Sequence, residues 1–230
     1  MPDKPEQPSR FDFDPFAVTY DSWYETAEGT LFDHLEKRAL RRMLEGVPNK
    51  GSLLEIGAGT GWWSRFFSDA GFAVTGIDIS PRMVDIAQIK SIPNATFKRA
   101  DAHKLPFADE SFSFAAAVTS IEFTRNPEKA LSEMIRCTRS DGTLFLGILN
   151  AWSPFNAERR KQTDSPFASA RFFDPNALRD WLSPYGKVTT KLCAFPFSLK
   201  MPVPFAGAAD DVSAFMGKRS GAFIAGKVER

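Results

Sequence analysis

Leu53-Leu54-Glu55-Ile56-Gly57-Ala58-Gly59-Thr60-Gly61 joins a short apolar run to glycines at alternate positions. A run of this length reads as a buried strand, and helical apolar spacing starts just after it. The turn between them leaves backbone amides free at a helix N-terminus. Its glycines permit positive φ and close approach of a ligand to the backbone. A second strand, Ala73 to Asp78, follows at βαβ distance and ends in an acid. The combination points to a nucleotide-like ligand that carries a ribose.

Outward from this stretch the chain alternates strand and helix. Strands are expected at Ser52–Ile56, Ala73–Ile77, Ala95–Arg99, Phe112–Val118 and Thr143–Leu149. Helices are expected at about Gly61–Ala70, from Ser80-Pro81 to about Ile89, and from about Pro127 to Thr138. Ser80-Pro81 and Asn126-Pro127 supply an N-cap with proline in the first turn, and Asp141-Gly142 reads as the turn into the fifth strand. Upstream, Leu31, Leu35, Leu40, Met43 and Leu44 have helical spacing over Thr30–Leu44. After Asn150 the pattern loosens. Residues 151–170 read as a polar and aromatic insertion, Asp174-Pro175 opens a helix to Ser183, and Lys187–Ala194 alternates like a strand. Residues 195–213, with three prolines, read as a loop or lid, and Gly221–Val228 as a final strand. Parallel alternation without a composition break favours one doubly wound α/β domain. The divisions are a disordered tail over 1–10 and one domain over 11–230. That domain comprises a helical arm (11–50), a ligand-binding core (51–150) and a substrate-side insertion with C-terminal strands (151–230).

The chain has 230 residues, 43% of them apolar, enough for a sizeable core, and a net charge of +1. That balance gives no pull toward nucleic acid or an anionic membrane. No apolar stretch at the N-terminus resembles a signal peptide, and no run is long enough to span a bilayer, so no stable membrane insertion is expected. Cys137 and Cys193 read as two reduced core thiols of a cytoplasmic protein. With two distant cysteines and two distant histidines nothing has metal-ligand spacing, so no metal is expected. Arg159-Arg160-Lys161 reads as a solvated face, with an acidic substrate as the alternative partner. Phe occurs 22 times and Tyr 3 times, and several Phe in broken segments are candidates to line a pocket.

A dinucleotide fingerprint would place its third glycine three residues after Gly59. Trp62 stands there instead, too bulky for close packing of helix and strand, and the third glycine comes one residue early at Gly61. The spacing resembles that of class I S-adenosylmethionine-dependent methyltransferases. Leu54 to Gly61 is similar to their first motif and Gly76-Ile77-Asp78-Ile79-Ser80 to the next. Asp101-Ala102, Leu105-Pro106-Phe107 and Ser111-Phe112 resemble the third strand exit and the approach to strand four. The resemblance covers about Ser52 to Asn150. It is closest to the small-molecule branch that includes ubiquinone and menaquinone methyltransferases, whose Tyr-Asp arm Phe11–Glu25 resembles.

The resemblance implies a Rossmann-like, mostly parallel seven-stranded sheet with helices on both faces and the last strand antiparallel. It implies S-adenosylmethionine as cofactor. Gly57, Ala58, Gly59 and Gly61 would face its methionine part, with Glu55 orienting the ammonium and Tyr20 capping the carboxylate. Asp78 would hold the ribose, Ile79 and Met83 cover the adenine, Asp101 and Ala102 read the adenine edge, and Thr119 lie near the sulfonium. A small, partly hydrophobic acceptor is expected in a pocket of Trp23, Tyr24, Trp62 or Trp63, Glu122, Trp152 and Phe155. Alignment of nucleophile, methyl carbon and sulfur dominates such a transfer. Where a base is needed, Glu122 and His103 are the candidates. Two other readings stay open: an NAD(P)-linked oxidoreductase, and a non-catalytic S-adenosylmethionine-binding protein.

Overall fold

β1 (Ser52–Ile56) runs parallel to β2 (Ala73–Asp78) on one side and to β4 (Phe112–Val118) on the other. β3 (Ala95–Arg99) flanks β2 and β5 (Thr138–Leu149) flanks β4, both parallel. β7 (Phe223–Glu229) pairs antiparallel with β5 and with β6 (Lys187–Cys193), so the seven strands take the order β3-β2-β1-β4-β5-β7-β6. The expected mostly parallel sheet with an antiparallel last strand is what forms. The structure, a computed structural model, describes residues 9–47, 50–163 and 165–230.

Both faces of the sheet are covered, and the alternation of side chains along a strand divides the core in two. Ala115 and Ala117 of β4 join Leu144, Leu146 and Ile148 of β5 on one face. There they pack under α5 (Pro127–Cys137) and α8 (Pro175–Leu182). Phe114, Ala116 and Val118 face the other way, with Phe145, under α2 (Ala27–Leu44) and α3 (Trp62–Asp69). Burial on both sides is why β4 reads as a continuous apolar run rather than an alternating one. α4 (Pro81–Ile89) joins β2 to β3. The Ser80 hydroxyl accepts from its Met83 N–H at 3.1 Å, the cap that the Ser-Pro pair announced.

Three expectations change. The Asp141-Gly142 turn lies inside β5, which starts at Thr138. Phe112 pairs with Thr138 and Phe114 with Thr143, so the extra residues bulge out of the ladder. The segment read as a loop or lid over 195–213 contains α9 (Val203–Phe215). Its prolines sit at the N-cap and second position, where no helical N–H bond is lost, and Ala206, Gly207 and Ala209 are small enough to pack closely on α2. The tail expectation for residues 1–8 lies outside the described residues. Ser9 and Arg10, assigned to that tail, are tied down: Ser9 bridges Thr124, and the Arg10 N–H donates to Phe123 O at 2.8 Å.

The arm is an irregular strap with one 3₁₀ turn (Asp14–Phe16) and the short helix α1 (Ser22–Glu25). Its acids fix it over the strand ends. Asp14 accepts from the Ser80 hydroxyl at 2.7 Å and the Arg82 N–H at 3.1 Å, at the N-terminus of α4. Asp21 accepts from the Thr60 hydroxyl at 2.6 Å and pairs with Lys90. After β5 the insertion folds into α6 (Pro154–Arg160) and α7 (Pro166–Ser169). No helix among the described residues is long and apolar enough to cross a membrane.

Candidate active site

The strand order reverses between β1 and β4, and there the carboxyl ends of β1–β5 open into a cavity of about 410 Å³. Ile56, Gly57 and Gly59 leave β1, and Asp78 and Ile79 leave β2. Asp101, Ala102 and His103 follow β3, Thr119 and Ser120 follow β4, and Leu149 ends β5. The arm closes the cavity with Phe11, Phe13, Phe16, Tyr20, Trp23 and Tyr24. Phe123, Arg159 and Phe167 complete the far wall and Glu36 enters from α2.

Gly57 has φ +69°, and a Cβ there would lie 2.4 Å from the Ser120 side chain, so no other residue fits. Gly59 has φ +55°, and its missing Cβ points into open space, with Met83 Sδ the nearest atom at 3.9 Å. The amides of this turn are less free than the sequence suggests. Ala58 N–H donates to Ile77 O at 2.9 Å, Gly61 N–H to Ala58 O at 2.9 Å, and Gly59 N–H to Asp78 Oδ2 at 2.9 Å. The glycines therefore contribute shape, and their donors fix the acid. Asp78 Oδ1 also accepts from Ser80 N–H at 2.9 Å. Burial pushes the Asp78 carboxyl up, against the pull of these amides. Each of its oxygens keeps a second lone pair, the acceptor pattern a ribose diol requires.

Asp101 Oδ1 accepts from the His103 backbone N–H at 2.9 Å and lies 2.8 Å from His103 Nδ1. His103 Nε2 accepts from Asn126 N–H at 3.2 Å, so the proton sits on Nδ1. Both ring nitrogens are engaged within the protein, and no lone pair is left to act as a base on a ligand. Thr119 has φ +44°, a strained conformation for a β-branched residue of the kind that collects at functional sites. Its N–H donates to Gly147 O at 2.7 Å, and the neighbouring Ser120 hydroxyl donates to Ile56 O at 2.7 Å. The ends of β1, β4 and β5 are thereby locked together beneath the cavity.

Several expected site residues lie elsewhere. Ala58, Gly61 and Met83 shape the turn without lining the cavity, and Met83 is buried against it. Glu55 lies beneath the turn, where Oε2 accepts from the Ser64 hydroxyl, and burial pushes its carboxyl up to about 8. Trp62 stacks flat on Tyr24, ring centroids 4.0 Å apart, and donates to Asp33 at 2.6 Å, so it backs the wall instead of forming it. Trp63 is core. Trp152 is exposed beside Arg219, and Phe155 packs behind Arg159 against Phe32. Glu122 is sealed below the cavity. Its Oε1 accepts from Leu149 N–H at 3.1 Å, Oε2 has no partner, and burial pushes it up to about 7. Neither base candidate presents an available lone pair to the cavity.

Sequence reading missed Glu36, and it offered Arg159 first as part of a solvated face and only second as a group that meets an acidic substrate. Arg159 is not a solvated face: its side chain is 12% exposed, beneath aromatic rings. Glu36 had a legible signal, a carboxyl on the apolar stripe of Phe32, Leu35, Ala39 and Leu40. No group of residues that could hold a metal ion occurs among the described residues.

An open glycine turn, an acid with paired acceptor oxygens one strand away and a second acid one strand further fit the methionine, ribose and adenine parts of S-adenosylmethionine. Residues 54–146 match the methyltransferase domain family Methyltransf_11. An uncharacterized protein of Methanocaldococcus jannaschii is 32% identical over 176 residues, 76% of this chain and 80% of that one. The demethylmenaquinone methyltransferase of Beutenbergia cavernae is 34% identical over 184 residues, 74% of each chain. The chain spans less than half the length of several other demethylmenaquinone methyltransferases it matches. A Thermotoga maritima S-adenosylmethionine-dependent methyltransferase, described as a possible histamine N-methyltransferase, superposes with a TM-score of 0.74. It is 26% identical, and the match covers 95% of this chain and 98% of that one. With this kinship and this cavity, the chain belongs to the class I S-adenosylmethionine-dependent methyltransferases, in the branch that holds the menaquinone-type enzymes, and S-adenosylmethionine is its cofactor.

Proposed function

We propose that the enzyme methylates a small, partly hydrophobic acceptor held between the aromatic arm and the exits of β4 and β5. The carrying observation is continuity. One cavity runs from Asp78 and Asp101 to Tyr20, Trp23, Tyr24, Phe123, Leu149 and Phe167, so cofactor and acceptor share a single continuous space. A demethylmenaquinone methyltransferase among the relatives supports an apolar acceptor.

When bound, the cofactor supplies an electrophilic methyl whose C–S bonding pair stays on sulfur. The protein's own work is then positioning. Asp78 holds the ribose, Asp101 and Ala102 read the adenine edge, Ile79 covers its face, and the turn at Gly57 and Gly59 seats the methionine tail with Tyr20 above it. The arm excludes water, and the aromatic wall fixes the line of attack. Burial pushes the Tyr20 hydroxyl up to about 12, so it stays protonated as a donor. The oxidoreductase reading has nothing to hold it, since the third glycine of a dinucleotide fingerprint is absent and Trp62 stands at its position. A non-catalytic role predicts no labelled product when the enzyme, radiolabelled cofactor and a metabolite extract are combined; methyl transfer predicts one. Two free buried cysteines and a net charge of +1 support a cytoplasmic enzyme with no nucleic-acid partner.

Asp78→Ala tests the cofactor site. Loss of two charge-assisted ribose contacts should weaken S-adenosylmethionine binding by about 100-fold in calorimetric titration. Unchanged affinity in this variant removes the site.

A further inference from the structure

Glu36 and Arg159 face each other across the acceptor end of the cavity, and neither has a hydrogen-bond partner for its side chain among the described residues. Glu36 is 6% exposed, lines the cavity from α2, and makes no ion pair with any of the described residues. Arg159 lines it from α6 and is the only Lys or Arg among the lining residues. Its guanidinium is stacked among Phe155 at 4.3 Å, Phe167 at 4.6 Å, Phe32 at 5.0 Å and Trp23 at 5.5 Å. The rings grip its faces and leave its N–H edges without a hydrogen bond of normal length. Its ion pair among the described residues is a long one, 3.6 Å to Oε1 of the exposed Glu28, which is beyond normal hydrogen-bond length and screened by solvent. Glu36 and Arg159 are each other's dominant charged neighbours, yet they do not touch.

We propose that Arg159 and Glu36 form a receptor for a carboxylate on the methyl acceptor, the guanidinium taking its two oxygens while the Glu36 carboxyl donates to one of them. The two groups relieve their burial differently. A carboxyl without a partner escapes the cost of a buried charge by keeping its proton, and burial pushes Glu36 up to about 8. A guanidinium has no such escape. The charge met only by that long, solvent-screened pair with Glu28 is therefore a single positive one. It matches a monoanion better than a doubly charged phosphate, and its fork matches the planar geometry of a carboxylate. Apolar rings around it suit an aryl or other flat acid. In this role the carboxylate anchors the acceptor and is not the methylated atom.

The inference rests on the methyltransferase reading, and its test separates the two. S-adenosylhomocysteine is titrated first. If the wild type does not bind it, the cofactor reading itself has failed. The loaded protein is then titrated with benzoate, phenylacetate and 3-phenylpropanoate, and with phenylacetamide and 2-phenylethylamine. At least one acid should bind about tenfold tighter than the amide and the amine. Arg159→Gln should remove that preference while the affinity for S-adenosylhomocysteine stays within about twofold, which also shows that the variant folds. Arg159→Lys keeps the charge without the fork and should weaken the acid severalfold.

Glu36 must be protonated to donate. Acid binding by the wild type should therefore fall as pH rises through about 8, and in Glu36→Gln it should not. Tyr20 and Tyr24 from the arm, Asp33 and Lys37 on α2, Glu122 below, Arg159 on α6 and Cys193 on β6 surround Glu36. All of them are common to both proteins, so the comparison isolates Glu36. Three results overturn the proposal. In the first, no acid binds, or acid binding survives Arg159→Gln. In the second, the amine is preferred, which makes an ionised Glu36 the receptor of a cation. In the third, Arg159→Gln weakens S-adenosylhomocysteine as much as the acid, which assigns Arg159 to the cofactor's own carboxylate.

Discussion

Glu55 carries a proton at neutral pH because burial outweighs the hydrogen bond from Ser64 and pushes its carboxyl from 4.5 up to about 8. Burial pushes Glu122 in the same direction, to about 7, with one oxygen unpartnered. A carboxyl whose folded pKa lies above its unfolded value stabilises the fold at low pH, and that contribution is lost as pH rises between the two values. The melting temperature should therefore fall from pH 5 to pH 8, and Glu55→Gln, which cannot ionise, should fall less over the same range. Parallel pH profiles for the two proteins would contradict the burial argument. The same residues mark how far the sequence could be read at this scale. Glu55 precedes the glycine turn, and its place in the motif suggested a contact with the cofactor. Its side chain points below the turn because strand alternation sends Glu55 and Ile56 to opposite faces. His103 stands in the sequence as a candidate base. Its ring serves as a strut between Asp101 and Asn126, a bond made across 23 positions that no local pattern carries.

At the scale of elements, the arm and α6 are held by few, identifiable bonds. Asp14 caps the start of α4 from outside that helix, and Asp21 reaches Thr60 and Lys90. Each such contact is worth on the order of 1 kcal/mol. The double variant Asp14→Ala/Asp21→Ala should expose the arm to limited proteolysis near residues 11–20 and weaken cofactor binding by roughly tenfold. An arm as resistant as the wild type's would show that its aromatic contacts suffice. α6, which carries Arg159, is pinned by Asn156, whose side-chain amide donates to Asn150 O at 2.9 Å and Ala222 O at 2.7 Å. Asn156→Ala removes two buried hydrogen bonds, leaving Asn150 O and Ala222 O with only the Ser153 and Asn150 N–H groups, and should lower stability by roughly 1–3 kcal/mol in denaturant unfolding. α9 shows what proline counting hides. Its prolines were read as breakers of structure, yet they stand where a helix N-terminus tolerates them. The helix exists because small residues face α2 and Asp211 meets Arg38 and Arg42. Asp211 is part-exposed, so solvent screens these pairs. Asp211→Ala should lower the melting temperature by about 2–4 °C, as expected for a loss near 1 kcal/mol in a chain of this size.

Across the whole molecule, strand and helix alternation, the positions of β1 to β4, the glycine turn and the acids at the ends of β2 and β3 were set by the sequence alone. Apolar period, proline caps and the φ demanded of a glycine are properties of a few consecutive residues. Packing decided what meets across distance. It slipped β7 between β5 and β6, and it stacked Trp62 behind Tyr24 instead of in the cavity. It also brought a carboxyl on the apolar face of α2 opposite a guanidinium on α6. That meeting depends on Phe32 of one helix packing against Phe155 of the other, ring centroids 4.7 Å apart, and only the closed core fixes such a contact.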